Sequence, residues 1–243
     1  MLYTLFSPAE SKNFGGNNPT LSKLLFSVEL RKEILDTYEE IIHANSNDEL
    51  TKLFGLKKES DILNYKDSIF SSPTMEALKR YDGVAYDYLK YQDLHVNEQN
   101  YLKEHVIIFS NLFGPIMGGD LIPNYKVKQG EHIRGIAPEQ YYKKAITESM
   151  NSLLKGSNIL DLRAGYYNKF YTASQPYHSA KFLKDGKVVS HWAKAYRGIL
   201  LRALAINKIE TVEEFVKMEV ENLKVKDILH VKNRTEIVYE IIQ

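Results

Sequence analysis

Four groups of residues in this 243-residue chain carry the side-chain types that acid–base or anion chemistry requires. Ser7-Pro8-Ala9-Glu10-Ser11-Lys12 places a carboxylate and an ammonium just beyond a short apolar run, where either can face a cleft. In Asp161-Leu162-Arg163 the i, i+2 spacing at a strand end sends both charges to one side and Leu162 to the other. Ser190-His191-Trp192-Ala193-Lys194, continued by Arg197 and Arg202, opens a basic helix whose free N–H groups and cations suit an anion. Asp120, Pro123, Tyr125, Lys126 and Lys128 follow the Gly-rich stretch 114–119, where glycine permits a backbone to approach a ligand closely. Glu10 or His191 is a candidate general acid or base, with Lys12 and Asp161 beside them and Arg163 and Lys194 stabilising developing negative charge. Each group also has a plain structural reading: a surface ion pair, a pair of buried partners, a solvated helix face.

Charge and composition narrow the chemistry further. Residues 121–202 hold 14 Lys and Arg against 5 Asp and Glu, whereas residues 1–120 hold 12 against 18. Within the basic segment lie Tyr125, Tyr141, Tyr142, Tyr166, Tyr167, Phe170, Tyr171, Tyr177, Trp192 and Tyr196, a mixture that can neutralise phosphate and stack on bases. The absence of cysteine excludes disulfides, thiolate nucleophiles and Cys-ligated metals. The seven histidines include no H-E-x-x-H spacing, and 114–119 is neither a Walker nor a Rossmann fingerprint. No cofactor and no metal are therefore expected. The apolar run at Met1–Phe6 is too short for a membrane span and lacks the basic flank of a signal peptide, so a cytoplasmic location is expected, with no membrane partner.

The elements that must position these groups follow from periodicity. Leu2 to Phe6 reads as a buried first strand, ending in a polar loop from Ser7 to Thr20. Helical spacing dominates Leu21 to Leu89, broken near Asn45–Asp48 and at Ser71-Ser72-Pro73. Val106–Phe109 is a strand followed by a Gly-rich loop, and Leu121–Lys128 alternates as a second strand. Pro138 opens a helix to about Leu154, Asn158–Leu162 is a short strand, and Asp185-Gly186 sits at the turn of a hairpin over 180–189. A helix from His191 to about Ala205, another over Thr211–Glu221, and strands over Lys224–His230 and Glu236–Ile242 close the chain. No repeat or linker interrupts it, so one α+β domain is expected over 1–243, with several helices around a short-stranded mixed sheet.

In this order the motifs resemble the YaaA family of bacterial peroxide-stress proteins. Ser7–Lys12 is similar to that family's opening S-P-A-K or P-P-S-E-G-K motif, and Tyr81–Tyr86 to its Y-x-G-x-x-Y element. Ser110–Gly114 and Asp120–Tyr125 resemble S-x-L-x-G and D-x-I-P-x-Y-R, with Lys126 in place of the arginine. Asp161–Gly165 is similar to D-L-R-S-G, and Ser190–Arg202 to S-H-F-N-K-x-x-K-G-x-x-x-R, with Ala193 for Asn and Arg197 for Lys. The resemblance implies a compact mixed fold with a positively charged cleft, DNA binding, and a part in limiting oxidative damage linked to free iron.

On this reading the leading function is DNA binding. Lys12, Lys126, Lys128, Arg163, Lys194, Arg197 and Arg202 supply anion contacts, and Tyr86, Tyr125 and Tyr167 position the strand. The alternative is an enzyme for a small anionic or nucleoside-like ligand built on Glu10, Lys12, Asp161, Arg163, His191 and Lys194, which requires these groups to converge on one pocket. Direct iron ligation by Asp, Glu and His is a third class, with the least support in the spacing. A monomer is expected.

Overall fold

Leu2–Phe6 (β1) is buried along almost its whole length and forms the centre of the main sheet. The computed structural model describes residues 1–18, 21, 24–189 and 191–242. Thr20, Ser190 and the His191 side chain, named above, lie outside the described residues. The other strands of this sheet are Val106–Ser110 (β2), Gly114–Met117 (β3), Asn158–Asp161 (β4), Tyr177–Lys184 (β5), Lys187–Val188 (β6), Leu223–Val231 (β7) and Arg234–Ile241 (β8). They lie in the order β7-β8-β5-β4-β1-β2-β3, with β6 hairpinned onto β5. From β8 to β2 every neighbouring pair is parallel, and antiparallel pairing is confined to β7–β8, β5–β6 and β2–β3.

The parallel centre explains the sequence pattern. Strands covered on both faces read as continuous apolar runs, as Val106-Ile107-Ile108-Phe109 does, whereas β7 at the edge is exposed along nearly its whole length. After β1 the chain places β2 on one flank of β1 and then, through β3 and helix Pro138–Leu154, returns to place β4 on the other. Such a reversal opens a crevice beyond the carboxyl ends of the strands, where open α/β sheets bind ligands.

The principal helices are Lys32–Ala44 (α1), Asn47–Phe54 (α2), Val84–Leu89 (α3), Val96–His105 (α4), Pro138–Leu154 (α5) and His191–Asn207 (α6). The break read near Asn45 is real: Asn45 takes a left-handed conformation (φ 55°) that ends α1, and Gly55 (φ 67°) ends α2 in the same way. Pairing differs from expectation at the Gly-rich stretch. Gly114–Met117 is a strand, not a loop, because Gly114 makes a left-handed turn against the Tyr142 ring and Pro115 sits on a sheet edge, where its missing N–H is tolerated. The strand expected over 121–128 shrinks to Leu121–Ile122, which pairs with Met75–Glu76 and ends at Pro123. The helix expected over 211–221 is Val212–Lys217, with Thr211 and Glu214 forming a capping box.

α6 crosses α3 at Gly198, where a Cβ would lie 2.0 Å from the Ala85 carbonyl oxygen. Only glycine allows that approach. Helix propensity alone favours alanine by about 1 kcal/mol, but the clash is with backbone and cannot be relieved by a rotamer change. Gly198→Ala is expected to destabilise the fold by roughly 1–3 kcal/mol, read as a lower urea midpoint at unchanged m-value.

Candidate functional site at the carboxyl ends of the parallel strands

The segment leaving β1 is fixed by its first residue. Ser7 Oγ accepts a hydrogen bond from Ala164 N (2.7 Å), just beyond β4, while its carbonyl accepts one from the Tyr86 hydroxyl (2.9 Å) on α3. One serine thus joins the ends of two adjacent parallel strands to a helix far away in sequence. Beyond it Ser11–Lys12 pairs with Tyr81–Asp82, and Glu10 is turned so that Oε1 accepts from Gln129 N (3.1 Å).

The end of β4 is held by an ion pair. Arg163 donates to Asp161 through Nε (2.9 Å) and Nη2 (2.6 Å), and Arg163 N also donates to Asp161 Oδ1 (3.0 Å). Nη1 donates to the Tyr167 carbonyl and Nη2 to the Tyr171 carbonyl, each at 3.0 Å, and the group lies 4.4 Å from the centroid of the Phe109 ring. With its side chain 1% exposed and bonded to Asp161 and two carbonyls, Arg163 is an organiser of the 163–171 turn. Four of its five guanidinium N–H groups are thus engaged within the fold.

Two adjoining cavities open above these turns. One, of about 420 Å³, is lined by Ser7 to Ser11, Asp82 to Tyr86, Gln129, Tyr167, Lys194 and Arg197 among others. The second, of about 480 Å³, lies where β5 runs on past the end of β4 and includes Asp161, Ser179, Lys181, Lys194, Arg197 and Arg234. Lys194 and Arg197, one turn apart on α6, line both. Arg197 is half-buried; burial lowers its pKa, and Asp161 partly offsets that. Ser179 Oγ is buried without a hydrogen-bond partner among the described residues.

Beneath the first cavity lies a layer of buried polar groups. Lys12 is 5% exposed and sits 4.0 Å from the centroid of the Tyr125 ring. Burial pushes its pKa well below the ordinary lysine value; Lys126 and Arg80 push the same way, against Glu10. Tyr125, Tyr81 and Ser110 are linked by hydrogen bonds of 2.8 and 2.7 Å, and burial raises the Tyr81 hydroxyl to about 12. Lys126, 7% exposed, donates to the Glu10 carbonyl at 3.2 Å.

The description that matches this chain is peroxide stress protein YaaA, whose family model covers residues 1–229. The chain belongs to the YaaA family. It is 43% identical to an uncharacterised Campylobacter jejuni protein over 98% of both chains. It is also 32% identical to a UPF0246 protein of Corynebacterium efficiens, over 85% of this chain and 86% of that one. A UPF0246 protein of Fusobacterium nucleatum is 26% identical over 87% and 89%.

Four of the stretches that resemble YaaA-family motifs, in 7–12, 81–86, 161–165 and 191–202, contribute residues to the paired cavities. Glu10, Tyr86, Tyr167, Lys194 and Arg197 meet in the smaller one, and Asp161 and Arg163 join the same two cations in the larger. Lys12, Tyr125 and Lys126 form the layer below. Lys128 and Arg202 stand apart: Lys128 is exposed and lies over Gly55, while Arg202 donates to the carbonyls of Leu89 and Lys90 and closes the end of α3. Asp82 and Gln129 were not expected at the site: Asp82 falls at a variable position of the Y-x-G-x-x-Y element, and Gln129 carries no recognisable spacing. Sequence reasoning also passed over Arg31 and Arg80, whose guanidinium groups are fully buried against backbone carbonyls.

Two outcomes follow. Arg163→Ala leaves Asp161 buried without its partner and is expected to cost about 3–5 kcal/mol in urea unfolding. Lys12 titrates lower in the folded chain than the ordinary value of 10.5, so the unfolded chain binds more protons between those two values and native stability rises with pH there. Relative to wild type, the unfolding free energy of Lys12→Met should therefore fall as pH climbs toward 10.5, a trend that denaturant melts at several pH values would read.

Proposed function

We propose that this chain binds DNA along the face formed by the start of α6 and the β5–β6 hairpin, and acts through that binding in the peroxide-stress role of its family. The observation that carries the reading is the pair Lys194 and Arg197, which line the cavities without an ion pair or hydrogen bond to any described residue. Around them Lys187 is exposed, and Lys184 lies 5.4 Å from the ring centroid of Trp192, itself 37% exposed. Cations interleaved with an accessible ring suit phosphates and an unstacked base. The part in limiting damage linked to free iron, which the family resemblance implies, is assigned to the same occupancy of DNA.

Other cations of the basic segment support the reading less than their number suggests. Arg163, Lys126 and Arg202 are engaged with protein carbonyls or Asp161, and Arg134 with Glu40 and Glu49. The expected salt slope is correspondingly modest. Anisotropy of labelled duplex, bent and single-stranded DNA over a salt series should give a linear fall of log affinity with log salt. Lys194→Glu and Arg197→Glu should each weaken binding and reduce the slope by about 1. Affinity indifferent to salt, or unchanged by both reversals, would overturn the reading.

A further inference from the structure

The two cavities differ in the charges left over once internal pairs are removed. In the larger one Asp161 is taken by Arg163, and Glu236 lies 3.6 Å from Arg234 and 3.9 Å from Lys181. Lys194 and Arg197 have no ion pair among the described residues, and because they line both cavities they mark the boundary between them. Of these two cavities Glu10 and Asp82 line the smaller alone, and Asp82 also borders a shallower hollow on its far side, beside Lys79 and Lys90. Glu10 Oε1 accepts from Gln129 N and Oε2 is 3.9 Å from Lys126, which leaves its carboxylate with unused acceptor sites; Asp82 is exposed with no hydrogen bond to its carboxylate among the described residues. The smaller cavity also has apolar wall from Pro8, Val84 and Tyr86.

A complementary ligand is anionic at one end, carries a body that tolerates apolar walls, and presents N–H donors at the other. Simple phosphate meets only the first requirement. A nucleotide meets all three when its base offers N–H groups to a carboxylate, and guanine offers two side by side, from N1 and the exocyclic N2. Adenine offers only its exocyclic amine there, and the single N–H of uracil is flanked by carbonyls that a carboxylate repels. The volume of about 420 Å³ falls within the range of small-molecule sites, which begins near 300 Å³.

We propose that the smaller cavity binds a single guanine nucleotide, with its phosphate at Lys194 and Arg197 on the boundary and its base edge toward Glu10 and Asp82. The nucleotide is either free or one unit of a DNA strand. The site shares two cations with the DNA reading but does not depend on it.

The test is calorimetric titration of the full chain with guanosine monophosphate, guanosine, uridine monophosphate and inorganic phosphate. Guanosine monophosphate should bind at least tenfold tighter than each of the others. Arg197→Gln should weaken it at least tenfold and leave guanosine unchanged; if that variant fails to fold by circular dichroism, Arg197→Lys takes its place, with a smaller loss in the same pattern. The double variant Glu10→Gln with Asp82→Asn should weaken guanosine and guanosine monophosphate alike and spare phosphate. Displacement of labelled DNA by guanosine monophosphate would support a strand unit as the occupant, and binding without displacement would support the free nucleotide. No binding at millimolar guanosine monophosphate, equal binding of the uridine nucleotide, or indifference to both sets of substitutions would overturn the proposal, whatever the salt series shows for DNA. Nucleotide binding by a chain that fails to hold DNA would support this site and remove the DNA reading.

Discussion

The buried pair Asp161–Arg163 is the interaction on which the site's geometry depends. Its strength lies less in the attraction of two charges, whose desolvation costs about as much as the pairing returns, than in what the guanidinium does with its other protons. Those protons gather the carbonyls of Tyr167 and Tyr171, so the chain leaving β4 turns back on itself over Phe109. With that turn set, Ala164 N faces Ser7 Oγ and the ends of β1 and β4 are joined. Ser7 in turn receives Tyr86 from α3. The cavity is the space left between segments that this chain of contacts holds apart.

Buried cations recur as organisers elsewhere. Arg31 donates to the carbonyls of Leu25, Ser27, Phe113 and Pro115, and Arg80 to those of Asn13, Pro73 and Ile122. Burial lowers the pKa of both, Arg80 to about 10, yet each remains a cation at neutral pH because arginine starts so high. A guanidinium can satisfy several loop carbonyls that a tight connection leaves without partners. The long irregular segments of this chain are ordered by that means.

This division of labour explains what was legible in the sequence. Strand β1, the run at Val106–Ser110, helix α5 and the Asp185-Gly186 hairpin follow from apolar runs, a Pro at a helix start and turn chemistry, all local signals. Pairing order was not legible, because parallel neighbours such as β1 and β4 lie about 150 residues apart and nothing local names the partner. Gly114–Met117 misled because its Gly and Pro are breakers in isolation but fit an edge strand after a three-residue turn. At the site, Glu10, Tyr86, Lys194 and Arg197 were visible by type and surroundings. The same signal does not rank the cations: Arg163 and Lys126 carry the same basic character in sequence as Lys194, and only the structure shows that they are buried and bonded to Asp161 and backbone carbonyls.

The position of the unpaired cations is itself a consequence of packing. Gly198 brings α6 against the backbone of α3 at Ala85, so the residue before it, Arg197, and the wall residues Val84 and Tyr86 belong to one rigid helix–helix contact. A cation carried on a flexible loop would relax toward a carboxylate such as Asp161 or Glu236. Held on α6 it does not, and those carboxylates are already occupied by Arg163 and by Lys181 and Arg234. The fold thus keeps a positive charge half-buried with only partial compensation from Asp161, which costs stability. Its position is fixed by a contact that admits only glycine, so the charge is held by the helix pair and not by the conformation of a loop.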